Sequence, residues 1–446
     1  MRKWLPPVGR NAWLALGMNT LSCLGSGLTM PFLLVYLHSI RGIPLPTAGL
    51  ILATIGVTGL VVIPLTGPLV DRVGAPRAFI GGLAIGGVGI ALFAPATTTT
   101  AAFAAAVVYG CSGGLTWNSF ATLLSELVPA DERGAVFALR YTSANAAFGA
   151  GALIAGLVTV GSHPGPYVAI LLVDAASYVL FAAAMLLVRV APAGAGPPGR
   201  APADTRAGPP GRAPADAKAG PPGRTPAGAG PPGLGSGGYR VVLRDRALLG
   251  ALLVNALVTV FALAQTSSVF AAWVTGPGES SSRVAGLAFA LNIVVLLVVQ
   301  LPVLSWARGR SRLGVAALST LFFAAAWLVL AAGAGNTALI IGALGIFALG
   351  EALLSPTLPA LVNDLAPDEL RGRYNAVFAL SQQAGPVLAP ILGGLALGHG
   401  LGLPYLLGLT ACCLAAGGVA LRLRRSTPRA ADLGLQPAQA DAASSG

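Results

Sequence analysis

The sequence has 446 residues, of which 55% are hydrophobic and 9% are charged, and its formal net charge is +12. An ordinary soluble domain carries about a quarter charged residues, so this chain has too little polar surface to cover a water-soluble fold. Its mean hydropathy of +0.77 predicts a membrane protein. In a soluble protein this net positive charge would suggest nucleic-acid binding. Here we expect the basic residues to lie mainly in loops on one side of the membrane, and we expect no nucleic-acid partner.

Twelve apolar runs are long enough to cross a bilayer as helices. The hydrocarbon core is about 30 Å thick and needs about 20 residues of helix. In chain order the runs lie near 12–38, 46–70, 77–96, 100–127, 134–160, 166–189, 247–274, 284–306, 312–333, 336–363, 374–398 and 402–422. The sequence therefore predicts an all-α integral membrane protein with twelve transmembrane helices. The basic residues before the first run are not followed by a small-residue cleavage site, so this run is expected to stay as an uncleaved helix.

Basic residues alternate between successive loops. Both ends of the chain and the even-numbered loops are rich in arginine, whereas the odd-numbered loops hold only Arg41 and Arg283. Loops on the cytoplasmic side of a membrane carry an excess of lysine and arginine. The pattern therefore predicts a multi-pass protein of the cytoplasmic (inner) membrane with both termini in the cytoplasm.

A segment rich in proline, glycine and alanine divides the chain. Within residues 191–246 the sequence Ala-Gly-Pro-Pro-Gly-Arg recurs with a period of twelve. Such a composition has no apolar core to bury, so we predict a disordered cytoplasmic linker. The expected organisation is an N-terminal six-helix half at 1–190, the linker at 191–246, a C-terminal six-helix half at 247–424 and a disordered cytoplasmic tail at 425–446.

The two halves repeat a short sequence at a constant offset. Leu127, Pro129, Arg133 and Gly134 recur 238 residues later as Leu365, Pro367, Arg371 and Gly372. Both copies lie in loops predicted on the cytoplasmic side. The halves are therefore expected to have the same orientation, related by an axis along the membrane normal.

The loop after the second run contains Gly67-Pro68-Leu69-Val70-Asp71-Arg72-Val73-Gly74, which resembles the G-x-L-x-D-R-x-G signature of the major facilitator superfamily. Ala75 and Pro76 then stand where two basic residues are usual in that family. A second segment, 385–394, resembles the G-P-x-x-G-G signature of the family's drug antiporters, although here it lies in the eleventh run instead of the fifth. The chain thus resembles a major facilitator transporter, closest to bacterial drug-efflux members of the drug:proton antiporter type.

This resemblance implies a specific architecture and activity. Two parallel six-helix halves would alternate access to a central cavity, with helices one, four, seven and ten lining it. A small molecule and protons would be the transported species, and the bilayer the surrounding partner. The resemblance implies no cofactor and no metal, and the protein is expected to act as a monomer.

Charged residues on the predicted cytoplasmic side have two interpretations. They could form a conformational latch, in which carboxylates and arginines pair across the seam between the halves in one state and separate in another. Alternatively, they only set the topology. The candidates are Gly67, Asp71, Arg72, Gly74, Arg77, Glu126, Arg133, Asp364 and Arg371.

Three charged residues lie well inside apolar runs instead of at their ends, and a charge at mid-bilayer costs at least about 2.5 kcal/mol without a partner or water. Glu351 is in the middle of the tenth run and is the candidate proton-coupling residue. Asp174 is in the sixth run, and we predict that it supports packing through hydrogen bonds. Arg140 is about two turns into the fifth run, where it could reach the cytoplasmic surface or face the cavity.

Uncharged polar residues inside the runs suggest the remainder of a cavity wall. Spacings of three or four place several on one helical face. Together with Arg140, the candidates are Asn19, Ser22, Ser26, Trp117, Asn118, Asn255, Thr259, Gln265 and Gln382. Isolated polar residues in membrane helices also commonly bond neighbouring helices or their own backbone.

The sequence offers no chemistry for a membrane enzyme. We find no cluster of histidine, cysteine and acidic residues and no phosphate-binding glycine loop, so neither a catalytic site nor a metal site is predicted. The favoured function is secondary active transport, with proton-coupled efflux of amphipathic compounds. An uptake permease for a metabolite or sugar, and a non-transporting polytopic receptor or scaffold, remain as alternatives.

Overall fold

The computed structural model describes residues 8–129, 131–159, 161, 163–188 and 241–434. Within these ranges nearly every residue is helical. The N-terminal half contains α1 (Arg10–Ile40), α2 (Leu45–Val73), α3 (Ala75–Phe93), α4 (Thr99–Leu127), α5 (Arg133–Val158) and α6 (Pro164–Leu186).

The C-terminal half starts with a helix in two pieces, Arg246–Ser268 and Phe270–Thr275, which we call α7. It continues with α8 (Ser282–Ala307), α9 (Arg312–Ala331), α10 (Thr337–Leu365), α11 (Arg371–Gly398) and α12 (Gly402–Arg424). A short helix, α13 (Arg429–Leu433), follows.

Eleven of the twelve long helices in the described ranges are both long and apolar enough to cross a membrane. The exception is α4, a continuous helix of 29 residues. It contains glycines and polar side chains, such as Thr116 and Asn118, which lower its hydropathy. Its length still exceeds the roughly 20 residues that a bilayer requires. The predicted all-α membrane fold is confirmed.

Helix packing follows the same scheme in both halves. In the N-terminal half α1 packs on α5 and α6, α2 on α4, and α3 on α4 and α6. In the C-terminal half α7 packs on α11 and α12, α8 on α10, and α9 on α10 and α12. These are the same pairings displaced by six helices, as expected for two repeated halves.

The bundle has an arginine-rich face, formed by the loops that carry Arg72, Arg133, Arg308 and Arg371, and an opposite arginine-poor face. The halves meet mainly through α2 with α11 and α5 with α8. Near the arginine-poor face these pairs approach through glycines: a Cβ added at Gly394 would lie 2.6 Å from the Leu45 carbonyl oxygen. Small residues allow such close backbone contact, which seals this end of the bundle.

The predicted boundaries of the linker and the tail need correction. Asp245 caps α7 by accepting hydrogen bonds from the backbone of Ala247 at 2.9 Å and Leu248 at 3.2 Å, so residues 241–246 are ordered. In α13, the Asp432 carboxylate accepts from the Leu313 backbone N–H at 2.9 Å at the start of α9. The prediction of disorder from residue 425 was therefore wrong for 425–434, because long-range capping contacts order this segment. The rest of both segments lies outside the described residues.

Candidate substrate cavity and proton site

A central cavity of about 370 Å³ lies between the two halves. From the N-terminal half it is lined by α2 and α4, including Gly56 and Trp117, and from the C-terminal half by α7 and α11, including Ser267 and Pro386. Its wall is mostly apolar and aromatic, with few polar groups. Such a surface suits an amphipathic molecule better than a sugar, whose hydroxyls need many hydrogen-bonding partners.

A second cavity, of about 410 Å³, belongs to the N-terminal half, and we call it the N-pocket. Its wall contains Asn19, Ser22, Cys23 and Ser26 of α1, Trp117 and Phe120 of α4, and Arg140 and Tyr141 of α5. The Arg140 guanidinium lies 4.6 Å from the ring centroid of Phe120 and 5.6 Å from that of Trp117. Of the two positions expected for Arg140, the structure shows the one facing the cavity.

A third cavity, of about 460 Å³, contains Glu351, and we call it the C-pocket. Asn255 of α7 and Gln382 of α11 also line it, and Asn255 donates a 2.8 Å hydrogen bond to the Ser381 hydroxyl. Tyr141 reaches this pocket from the other half and lines it together with Ser355 and Glu351. The acid therefore lies where the two halves face each other.

Glu351 is partly buried and shares a cavity with Asn292, whose side-chain amide donates to the Leu344 carbonyl at 3.3 Å. Among the described residues it forms no ion pair. Glu351 also lines a smaller cavity of about 180 Å³ with Asn145 and Thr266. A carboxyl that adjoins two cavities can be neutral when protonated and can reach water when ionised.

The helix that carries Glu351 is interrupted just beyond it. The α10 segment Thr337–Leu354 ends before Pro356, and a second segment continues as Thr357–Leu365. Proline supplies no backbone donor and clashes with the preceding turn, which explains the break. Irregular backbone in a membrane helix is tolerated where it lines a cavity, as it does here.

Asp174 has a different setting. Its side chain is fully buried, with 0% exposure, and accepts a 2.6 Å hydrogen bond from the Thr29 hydroxyl of α1. Ser177 Oγ contacts the same carboxyl at 3.5 Å. These contacts join α6 to α1 away from the cavity wall, an arrangement that fits the packing role predicted for Asp174.

We expect Thr29→Val to lower the yield of folded protein, because it removes the closest donor to a buried carboxyl, a loss of about 1–3 kcal/mol. Transport per folded molecule should stay within about twofold. The matched control is Thr54→Val, whose hydroxyl is exposed and bonds only the Leu50 carbonyl of its own helix. Size-exclusion yield and flux of the purified protein measure the two effects. Normal yield combined with lost transport would contradict the packing role.

Three of the predicted cavity residues line none of the four cavities described above. Gln265 is 1% exposed, donates to the Val260 carbonyl at 2.8 Å and accepts from Tyr405 of α12 at 2.6 Å. Thr259 donates to the Asn255 carbonyl at 2.7 Å, and Asn118 is exposed elsewhere on α4. The prediction for Gln265 was wrong because its helical face packs on α12.

The latch candidates lie at the arginine-rich face. Asp71, Arg72 and Arg77 are exposed, and within the described ranges Asp71 forms no ion pair. Arg133 donates to the Ser125 carbonyl at 2.9 Å. Gly67 has open space around it, and Gly74 has a positive φ of 85° at the α2–α3 turn. Glu126 and Arg371 lie in the two repeated loops.

Asp364 pairs with Arg312 of its own half at 2.6 Å. The latch therefore stays a prediction, since the contacts between the halves seen here are concentrated toward the opposite face.

Several cavity residues were missed from the sequence. Tyr141 and Asn145 lie on α5, Tyr178 on α6, and Asn292 and Gln300 on α8. Most residues predicted to line the cavity lie on helices one, four and seven, with only Arg140 chosen from α5, Gln382 from α11 and none from α6 or α8. The missed residues carry the same sequence signal as the predicted ones, since they too are polar side chains within apolar runs.

Comparison with known proteins identifies the family. Residues 15–280 and 279–444 match the Major Facilitator Superfamily. The chain belongs to this superfamily. It is 23% identical over 399 residues, covering 89% of this chain and 88% of the relative, to YqjV of Bacillus subtilis (strain 168), an uncharacterized MFS-type transporter. Membership makes the protein a transporter with small-molecule substrates rather than an enzyme.

Solved structures show the same fold. The nucleoside transporter NupG aligns with a TM-score of 0.69 and 12% identity, over 93% of this chain and 99% of NupG. A POT family transporter in complex with 5-aminolevulinic acid aligns with a TM-score of 0.70 and 14% identity, over 95% of this chain and 99% of that one. At such low identities the likeness shows the major facilitator fold, not the substrate.

Proposed function

We propose that the protein is a monomeric, proton-coupled secondary transporter that exports amphipathic compounds from the cytoplasm. The observation that carries this proposal is the position of Glu351, an acid without an ion-pair partner among the described residues, in the pocket where the two halves face each other. The apolar and aromatic wall of the central cavity supports an amphipathic substrate.

The conformation fits alternating access. Glycine-mediated contacts close the bundle toward the arginine-poor face, while the N-pocket and the C-pocket reach toward the arginine-rich face. If the arginine-rich loops are cytoplasmic, as the charge distribution predicts, this is an inward-facing state. Transport then requires the halves to rock about the cavities so that the opposite face opens.

Glu351 has the properties that a proton carrier needs. Protonated, the residue is neutral and can pass through an occluded state at little electrostatic cost. Ionised, it can be solvated through the two adjoining cavities, one of which Asn292 also lines. The break in α10 after Leu354 allows the segment beyond it, which lines the C-pocket together with Tyr141 of the other half, to change its angle to the first segment.

Flux in proteoliposomes tests the proposal. With purified protein and a panel of fluorescent amphipathic compounds, we expect an imposed pH gradient to drive accumulation on the acidic side and a protonophore to abolish it. Accumulation of a metabolite or sugar with the gradient reversed would favour the uptake permease instead. A protein that carries nothing in either direction would contradict transport altogether.

A separate experiment tests the orientation. A reporter enzyme that is active only outside the cytoplasm should be silent when fused near Gly309, in the arginine-rich loop between α8 and α9. The same reporter should be active near Gly278 or Gly335, on the opposite face. The reverse pattern would place the termini outside the cytoplasm. The conformation described here would then be the outward-facing state.

A further inference from the structure

The N-pocket contains a positive charge without a protein counter-charge. Arg140 is seven residues into α5, about 10 Å from the start of the helix. No carboxylate in the described ranges pairs with it, and the buried acid of the same half, Asp174, is bonded to Thr29. A guanidinium at this depth needs either water or an anion.

The surroundings of Arg140 are aromatic and polar but carry no other charge. Trp117 keeps 64% of its surface exposed and lies next to the guanidinium, and Phe120 lies on another side of it. Asn19 and Ser22 of α1 line the same pocket. Trp117 also lines the central cavity, so a ligand held at Arg140 can extend along the indole into that cavity between the halves.

A planar guanidinium binds carboxylates and related oxyanions through two parallel hydrogen bonds. An exposed indole binds a flat apolar group by stacking. From this juxtaposition we infer that the substrate is an amphipathic organic anion, whose acidic group pairs with Arg140 and whose aromatic part lies against Trp117. The inference rests on the proposed export function, which it narrows from amphipathic compounds in general to organic acids.

The site for the anion is distinct from the site for the proton. Arg140 lines the N-pocket, whereas Glu351 lines the C-pocket on the other half. Binding of the anion and coupling to protons can therefore be measured separately. The membrane potential, negative inside the cell, also favours outward movement of an anion.

Equilibrium binding to the purified protein, measured by calorimetry, tests the inference with three probes of nearly the same shape. They are 2-naphthoate, its neutral amide 2-naphthamide, and the cation 2-naphthylmethylammonium. The wild type should bind the carboxylate about ten- to a hundredfold more tightly than the amide, as expected for a charge-assisted hydrogen-bonded pair, and the ammonium ion most weakly.

Variants assign the preference to individual residues. Arg140→Gln should bind the carboxylate and the amide equally while retaining its affinity for the amide. Trp117→Leu should weaken both probes by about two- to tenfold. The matched control is Arg310→Gln, which removes an arginine stacked 4.3 Å from Trp306 on the exposed α8–α9 loop and should change nothing.

Three results would overturn the inference: no measurable binding of the carboxylate by the wild type, tighter binding of the ammonium ion, or a carboxylate preference that survives in Arg140→Gln. Failure of the proposed function gives a different result. In that case the carboxylate preference persists, in the wild type and in Glu351→Gln, but no pH gradient drives transport.

Discussion

Glu351→Gln is expected to abolish accumulation of substrate against a gradient while leaving downhill exchange largely intact. The amide has the shape of the acid, but it cannot take up or release a proton. The neutral side chain also removes the cost of an ionised group in the occluded state, so the rocking motion itself should continue.

The measurement compares two assays on the same proteoliposomes: uptake driven by a pH gradient, and exchange of labelled for unlabelled substrate without one. The control is Glu279→Gln, the same chemical change at an exposed position in the loop after α7. Glu351→Asp should recover part of the driven transport, since it restores a titratable group. If Glu351→Gln still concentrates substrate at the wild-type rate, Glu351 does not carry the proton.

Gly156→Trp is expected to force open the arginine-poor face and to stop transport. A Cβ at Gly156 would already lie 2.6 Å from the Gly286 Cα and from the Ser282 carbonyl oxygen, at the contact between α5 and α8. Backbone cannot give way as a flexible side chain can, so the sealed conformation becomes inaccessible. The population then shifts toward the state in which these helices separate.

Cys23 provides a natural reporter of this shift because it lines the N-pocket. In a background with Cys111, Cys412 and Cys413 replaced by alanine, we expect Gly156→Trp to increase labelling of Cys23 by an impermeant anionic thiol reagent, added from the arginine-poor side, by about tenfold or more. Transport should fall to the level of empty vesicles.

The matched control is Gly408→Trp on α12, an exposed position where nothing lies within 4 Å of an added Cβ. This variant should transport and label as the background does. A folded Gly156→Trp protein that transports normally, with Cys23 still protected from the arginine-poor side, would show that closure of this face does not depend on the α5–α8 contact.

The helices and their arrangement into two halves could be predicted from the sequence because the information is local. A run of about 20 apolar residues must span the bilayer as a helix, whatever surrounds it. The repeat of Leu127, Pro129, Arg133 and Gly134 in the second half indicated two like halves, and the packing pairs repeat accordingly. Two polar residues of α1 that the sequence singles out, Asn19 and Ser22, line the N-pocket.

The tertiary structure alone decided which helical faces meet. Period and spacing place Gln265 on a face of α7, but only the packing shows that this face bonds Tyr405 of α12 instead of the cavity. The sequence likewise allowed two environments for Arg140, and only the packing shows that it lies beside Phe120. The order of α13 also depends on packing, because its Asp432 caps a helix that begins more than a hundred residues earlier in the chain. Hydropathy fixes the helices one at a time, whereas a cavity is made by side chains distant in the chain, and their contacts form only when the bundle packs.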